Sequence, residues 1–164
     1  EDQGGNTIKL KHAPAAAARI GNSRSKLHGF WDTNAVMASM PDLPKAMPKE
    51  ERRAKMDAAR RELVQRFAKE EPKDWRLAGD VPLKDYAEAY ANQILPVARE
   101  AHERLEFMKV RHQQDEDRTL AVGEAEEKAA KDGVPYYDWA AETVREQIHK
   151  GGWRLADLLQ KALQ

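Results

Sequence analysis

The stretch Tyr136-Tyr137-Asp138-Trp139-Ala140-Ala141-Glu142-Thr143-Val144-Arg145-Glu146-Gln147-Ile148-His149-Lys150-Gly151-Gly152-Trp153-Arg154-Leu155-Ala156 decides the fold class. Within it and on to the C-terminus, Ala141, Val144, Ile148, Gly152, Leu155, Leu159 and Ala162 recur at steps of three or four. That is the period of a helix with one apolar stripe, so a helix is predicted over residues 136–164. Each glycine of Gly151-Gly152 costs such a helix about 1 kcal/mol relative to alanine. A pair kept on the stripe predicts that another helix crosses closely there.

The same period extends outward through the chain. Met56, Ala59, Leu63 and Phe67 mark a helix over 48–69, opened by Pro48. Ala87, Ala91, Ile94, Ala98, Ala101 and Leu105 mark another over 83–108, which Pro96 is expected to kink or split. A further helix is predicted over 25–40, with Ser25 as its N-cap and Pro41 beyond its end. The expected fold is therefore all-α: a multi-helix bundle, read as a single domain over 1–164 and as incomplete. Only residues 1–24 depart from the pattern. There Ile8 and Leu10 alternate with Lys9 and Lys11 behind Gly4-Gly5, which predicts a short β-hairpin, and Pro14 to Ala18 reads as a surface loop. Residues 109–135 form a charged insertion, with seven acidic and three basic residues between 112 and 133. A solvated loop or an exposed helical hairpin is expected.

Composition narrows the function. The 164 residues are 41% apolar and 34% charged, and 28 Lys plus Arg cancel 28 Asp plus Glu. No global field draws the chain to nucleic acid or membrane. The absence of cysteine excludes disulfides, thiolate catalysis and cysteine-ligated metal. No apolar run nears the roughly 18 residues of a membrane span. The opening Glu1-Asp2-Gln3-Gly4-Gly5-Asn6 has neither an initiator methionine nor a signal peptide, and reads as the interior of a longer protein. Locally the charge is uneven. From Gln3 to Trp31 there is no acidic residue, while Lys9, Lys11, Arg19, Arg24 and Lys26 are all basic. This segment is either a phosphate-facing surface or a solvated hairpin balanced by acids elsewhere.

The sharpest local feature is Leu27-His28-Gly29-Phe30-Trp31-Asp32. On a helix His28 and Asp32 are four apart and share a face, where an imidazole and a carboxylate can grip one divalent ion, zinc by preference. By spacing alone, such a pair is more often a surface ion pair or a satisfied core histidine. Leu27 and Trp31 are expected to face the core beside it.

Three motifs occur in order: Gly4-Gly5-Asn6, then Leu27-His28-Gly29-Phe30-Trp31-Asp32, then Lys150-Gly151-Gly152-Trp153-Arg154-Leu155-Ala156 behind Tyr136-Tyr137-Asp138. Together they resemble the three-zinc, single-strand-specific nucleases of the S-one/P-one family, which belongs with the bacterial zinc phospholipases C. The resemblance covers both ends of the chain; residues 42–132 match only as a succession of helices. It implies that His28 and Asp32 ligate the zinc that sits apart from a bridged pair. It further implies that Asn6 hydrogen-bonds the nucleobase beside the scissile phosphate, and that Gly4 and Gly5 let backbone and base approach. Basic residues from Lys9 to Lys26 would flank the phosphates. The implied activity is zinc-dependent hydrolysis of single-stranded DNA or RNA to 5′-nucleotides, with 3′-nucleotidase activity, in a secreted or periplasmic protein. Family members usually carry Asn where this chain has Ser25 or Lys26, and the family's remaining metal ligands precede the Gly-Gly-Asn turn. Glu1 follows that point, so this chain corresponds to the C-terminal half, brings two ligands to one zinc, and is expected to be inactive alone. The missing N-terminal half of the protein is an expected partner, and self-association through exposed apolar surface is expected without it.

Other histidines carry less. His12 is read as exposed in the basic loop, His102 and His112 as solvated, and His149 as a helix-surface residue. Trp75, Tyr86, Tyr90, Trp139 and Trp153 are read as packing residues. Two alternatives stand beside the nuclease. One is a phospholipase C of the same superfamily. The other is a non-catalytic helical interaction module, docking through the alanine-rich stripe of its third helix.

Overall fold

A computed structural model describes residues 3–77, 79 and 81–163. Glu1 and Asp2, which open the chain, and Gln164, which ends the last predicted helix, lie outside them. The chain is not all-α: helices take 57% of it, and 18% lies in a four-stranded mixed sheet.

The sheet starts from the alternation in Ile8–Lys11. As β1, this segment buries Ile8 and Leu10 and exposes Lys9 and Lys11, because successive side chains leave a strand on opposite faces. β1 pairs antiparallel with β2 (Arg24–Lys26), as the predicted hairpin requires. Its other edge pairs parallel with β4 (Arg118–Glu127), which pairs antiparallel with β3 (Leu105–Asp115). The order is β2-β1-β4-β3.

The charged insertion is thus neither a loop nor a helical hairpin but a β-hairpin, and the helix predicted to reach residue 108 ends at Glu103. Two causes hid it. Leu105 and Phe107 alternate correctly, but an irregularity between Met108 and Arg111, with Lys109 at φ 53°, breaks the period just after them. The partner strand β1 is also more than a hundred residues away in the chain. The acidic residues have a role in this sheet. On its outer face Glu126 pairs with Lys11 at 2.9 Å, and Glu124 pairs with Arg24 at 3.2 Å and with Lys109 at 2.9 Å. Lys11 and Arg24 of the basic segment are thus balanced by acids across the sheet.

Between β1 and β2 lies α1 (Pro14–Ile20), where a loop was expected. Proline at its first position, a run of alanines and Gly21 closing it at φ 77° are the signals that specify it. β2 then leads into a helix in three parts: α2 (Leu27–Gly29), a π-helical turn (Phe30–Ala35) and α3 (Val36–Ala38). It starts after Lys26, not at Ser25. Ser25 belongs to β2, and its hydroxyl meets His12 Nε2 at 2.7 Å. α4 (Lys49–Lys69) and α6 (Tyr136–Ala162) follow the predicted spans closely, and α5 (Tyr86–Glu103) begins near its predicted start but stops short of residue 108. α5 runs unbroken through the exposed Pro96.

The core lies between the inner face of the sheet, the His28-bearing helix and the first turns of α6. Ile8, Leu10, Ala16, Leu27, Phe30, Ala35, Leu105, Ala125, Tyr136, Tyr137 and Ala140 form one buried cluster. Farther along α6, α4 is clasped rather than crossed closely. His149 stacks on Phe67 at 4.1 Å, and Trp153 Nε1 donates to the Phe67 carbonyl at 2.8 Å. A methyl group at Gly151 or Gly152 would meet no other described atom within 4 Å, so the expected close helix crossing is absent among the described residues. The stripes predicted for α5 and α6 are buried only in part: Ala101 and Leu105 are covered, whereas Ala87, Ala91, Ile94 and Ala98 face outward.

Candidate metal centre

Two buried side chains aim the site outward. Leu27 and Phe30 enter the core, which turns His28 and Asp32 toward solvent on the opposite side of the same helix. Phe30 is fully buried, stacked on Tyr136 at 5.5 Å and edge-on to Trp31 at 6.0 Å. Trp31 is half-buried, and its Nε1 donates to the Tyr136 hydroxyl at 3.1 Å. Burial pushes the Tyr136 phenol well above the usual tyrosine range, so it stays a neutral partner for the indole. Trp139 adds an edge contact to Trp31 at 5.8 Å and lies under the Arg104 guanidinium at 4.7 Å. Arg104 in turn pairs with Glu100 and Asp132, tying α5 to the loop before α6. Two motifs distant in sequence, around residues 27–32 and 136–138, therefore form one aromatic support for the site.

On that support His28 Nε2 stands 2.8 Å from Asp32 Oδ2. The other ring nitrogen, Nδ1, lies 3.1 Å from the carbonyl oxygen of Gly4. A carbonyl can only accept, so Nδ1 donates to it, and Nε2 is the ring nitrogen that faces the carboxylate. At 2.8 Å the two atoms stand at hydrogen-bond distance, and holding one zinc ion would require them to open slightly. A ring nitrogen and a carboxylate oxygen suit zinc, and metal-bound histidines commonly donate their other N–H to a backbone carbonyl. The residues present fit the ion, with two ligands. Among the described residues no group of three or more His, Cys, Asp or Glu is placed to hold a metal. The π-helical turn carries Asp32 within it, and such turns are frequent at functional sites.

The structure brings Gly4 and Gly5 against the start of this helix, and Asn6 follows them, half-buried, in the turn into β1. Thr7 fastens that turn to β4 through its hydroxyl, which donates to the Ala121 carbonyl at 2.6 Å. Of the five basic residues, Lys11, Arg19 and Arg24 are engaged in ion pairs, Arg19 with Asp138 at 2.8 Å. Lys9 and Lys26 stand opposite each other across β1 and β2 with no ion pair among the described residues. His12 is not exposed: it is buried against Phe30. Nor is His149 a plain surface residue, since its Nε2 meets the Phe67 and Glu70 carbonyls at the end of α4. Beside the Gly4-Gly5 turn opens an apolar groove of about 610 Å³, walled by Leu27, Trp31, Ala101, Leu105, Tyr136 and Val144.

Fold and site define an α/β protein that presents an exposed histidine–carboxylate pair on an aromatic platform. The family model for S1/P1 Nuclease matches residues 1–164, and the chain belongs to that family. At the level of the family this means nuclease chemistry, a hydrolase activity, and in general zinc dependence. No curated protein and no solved structure matches the chain. No helix among the described residues is long and apolar enough to cross a membrane.

Proposed function

We propose that this chain carries part of the active centre of a zinc-dependent phosphodiesterase that hydrolyses single-stranded DNA or RNA to 5′-nucleotides, with 3′-nucleotidase activity alongside. The observation that carries the reading is the His28 ring, held between the Gly4 carbonyl and the Asp32 carboxylate. His28 and Asp32 would hold one zinc ion. Bound there, zinc supplies Lewis-acid stabilisation of charge on a phosphate oxygen. Asn6, with an amide that both donates and accepts, would bind the nucleobase, and Lys9 and Lys26 would contact the phosphates on either side. Two protein ligands fall short of the three that a catalytic zinc normally has, and among the described residues no third is placed beside them, so further ligands would have to join the site. The chain alone is therefore inactive, its natural setting is secreted or periplasmic, and its exposed apolar faces favour self-association.

Zinc titration of the purified chain tests this, with His28→Ala alongside. The expected result is zinc uptake by the unmodified chain that His28→Ala abolishes. Equal uptake by both would sink the reading. Zinc-dependent cleavage of single-stranded DNA by a chain verified to be these residues alone would overturn the two-ligand account. A second reading, a helical interaction module, is favoured by the outward-facing stripe of α5 with Ile94 exposed. Such a module would be indifferent to His28→Ala.

A further inference from the structure

The resemblance places Gly4 and Gly5 beside a nucleobase; the geometry points to another task. We propose that the Gly4-Gly5 turn is the positioning element of His28: the Gly4 carbonyl selects the ring nitrogen that faces the metal, and Gly5 is the residue that makes this approach possible. The inference rests on the reading of His28 and Asp32 as zinc ligands.

Gly5 has φ +87°, a backbone conformation that side-chain-bearing residues rarely adopt. A Cβ there would lie 3.0 Å from the backbone nitrogen of His28 and 3.1 Å from Leu27 Cβ. Neither neighbour can yield easily. One is helix backbone, and Leu27 is buried in the core cluster. Any side chain at this position therefore pushes the turn away from the helix, and the Gly4 carbonyl moves with it. That carbonyl accepts from His28 Nδ1 at 3.1 Å. Without it, both ring nitrogens are equivalent candidates for the metal, and the ring can rotate away from Asp32. Gly4 differs. It also has positive φ, +63°, but a Cβ there would stand 3.7 Å from His28 Nδ1, an ordinary contact.

The test uses the full chain loaded with cadmium-113 and labelled with nitrogen-15, together with competitive zinc titrations. In the unmodified chain the metal should couple to Nε2 of His28, with Nδ1 protonated. Gly5→Ala, with an unchanged circular dichroism spectrum, should bind zinc about 10- to 100-fold more weakly, the usual effect of losing an outer-shell partner. Gly151→Ala, where the added methyl meets open space far from the turn, should bind as the unmodified chain does. Coupling through Nδ1, or a folded Gly5→Ala with unmodified affinity, overturns the proposal. If Gly5→Ala fails to fold, the cadmium spectrum of the unmodified chain decides alone. Failure of the parent reading looks different: there His28→Ala itself leaves zinc affinity intact.

Discussion

The two ends of α6 share one helical period, yet meet opposite surroundings. Tyr136, Tyr137, Ala140 and Ala141 are buried against the sheet and the His28-bearing helix. Beyond the middle of the helix, Ile148, Leu155 and Leu159 are 51%, 56% and 52% exposed. α4, which packs beside that second half, has no fully buried residue at all. An apolar stripe specifies which face of a helix can be buried; whether it is buried depends on a second surface arriving there. At the first end, β1, β4 and the Phe30 turn supply that surface. The candidate metal site sits at the well-covered end, where its helix has least freedom.

The comparison predicts unequal costs for removing apolar groups. Phe30→Ala should be the most damaging, about 3–5 kcal/mol by urea unfolding, because the ring fills the centre of the aromatic cluster. A loss below 1 kcal/mol would mean that this end is no better packed than the other. Arg104→Met should cost about 1–3 kcal/mol, through loss of hydrogen bonds to two carboxylates. It should also loosen the loop before α6, which limited proteolysis around Asp132 would detect. An unchanged cleavage pattern would remove Arg104 from the support of the site.

His12 separates the two ends by pH. Burial disfavours its charged ring and holds its pKa below the ordinary 6.5. The unfolded chain then takes up the proton first, so His12's contribution to stability is complete above pH 6.5 and declines as the pH falls below it. His12→Phe should flatten the urea midpoint between pH 8 and 5.5; an equally steep profile would refute the assignment. Smallest of all, Leu159→Ala should change stability by less than about 0.5 kcal/mol. Replacing Ile94, Ile148 and Leu155 together by Gln should leave the unfolding midpoint in place while reducing self-association in sedimentation experiments. A marked loss of stability would show that these faces are covered in solution.

Much of this was legible in the chain. The spans of α4 and α6 and the start of α5 follow from their three- and four-residue steps, and β1 from the alternation around Ile8 and Leu10. That His28 and Asp32 share a face follows from their spacing, because a helix places residues four apart on one side whatever surrounds it; their reading as zinc ligands came from the family resemblance. The β3–β4 hairpin was not found, and the fold class with it. Its outer face is charged, its period is broken after Met108, and its partner strand lies at the far end of the chain. Pro14 and Gly21 did mark the two ends of α1, but the alanines between them carry no periodicity.

Sequence alone determined part of the local geometry of this protein: where its three long helices run, which residues share a face, and which pair could hold an ion. These depend on steric preferences and short-range periodicity, and they travel with the residues. Tertiary structure decided the rest. It made a sheet from segments more than a hundred residues apart, balanced Lys11 and Arg24 with Glu126 and Glu124, and brought the Gly4 carbonyl to His28. None of these contacts has a local signature, since each arises only when long-range burial brings its two partners to the same place.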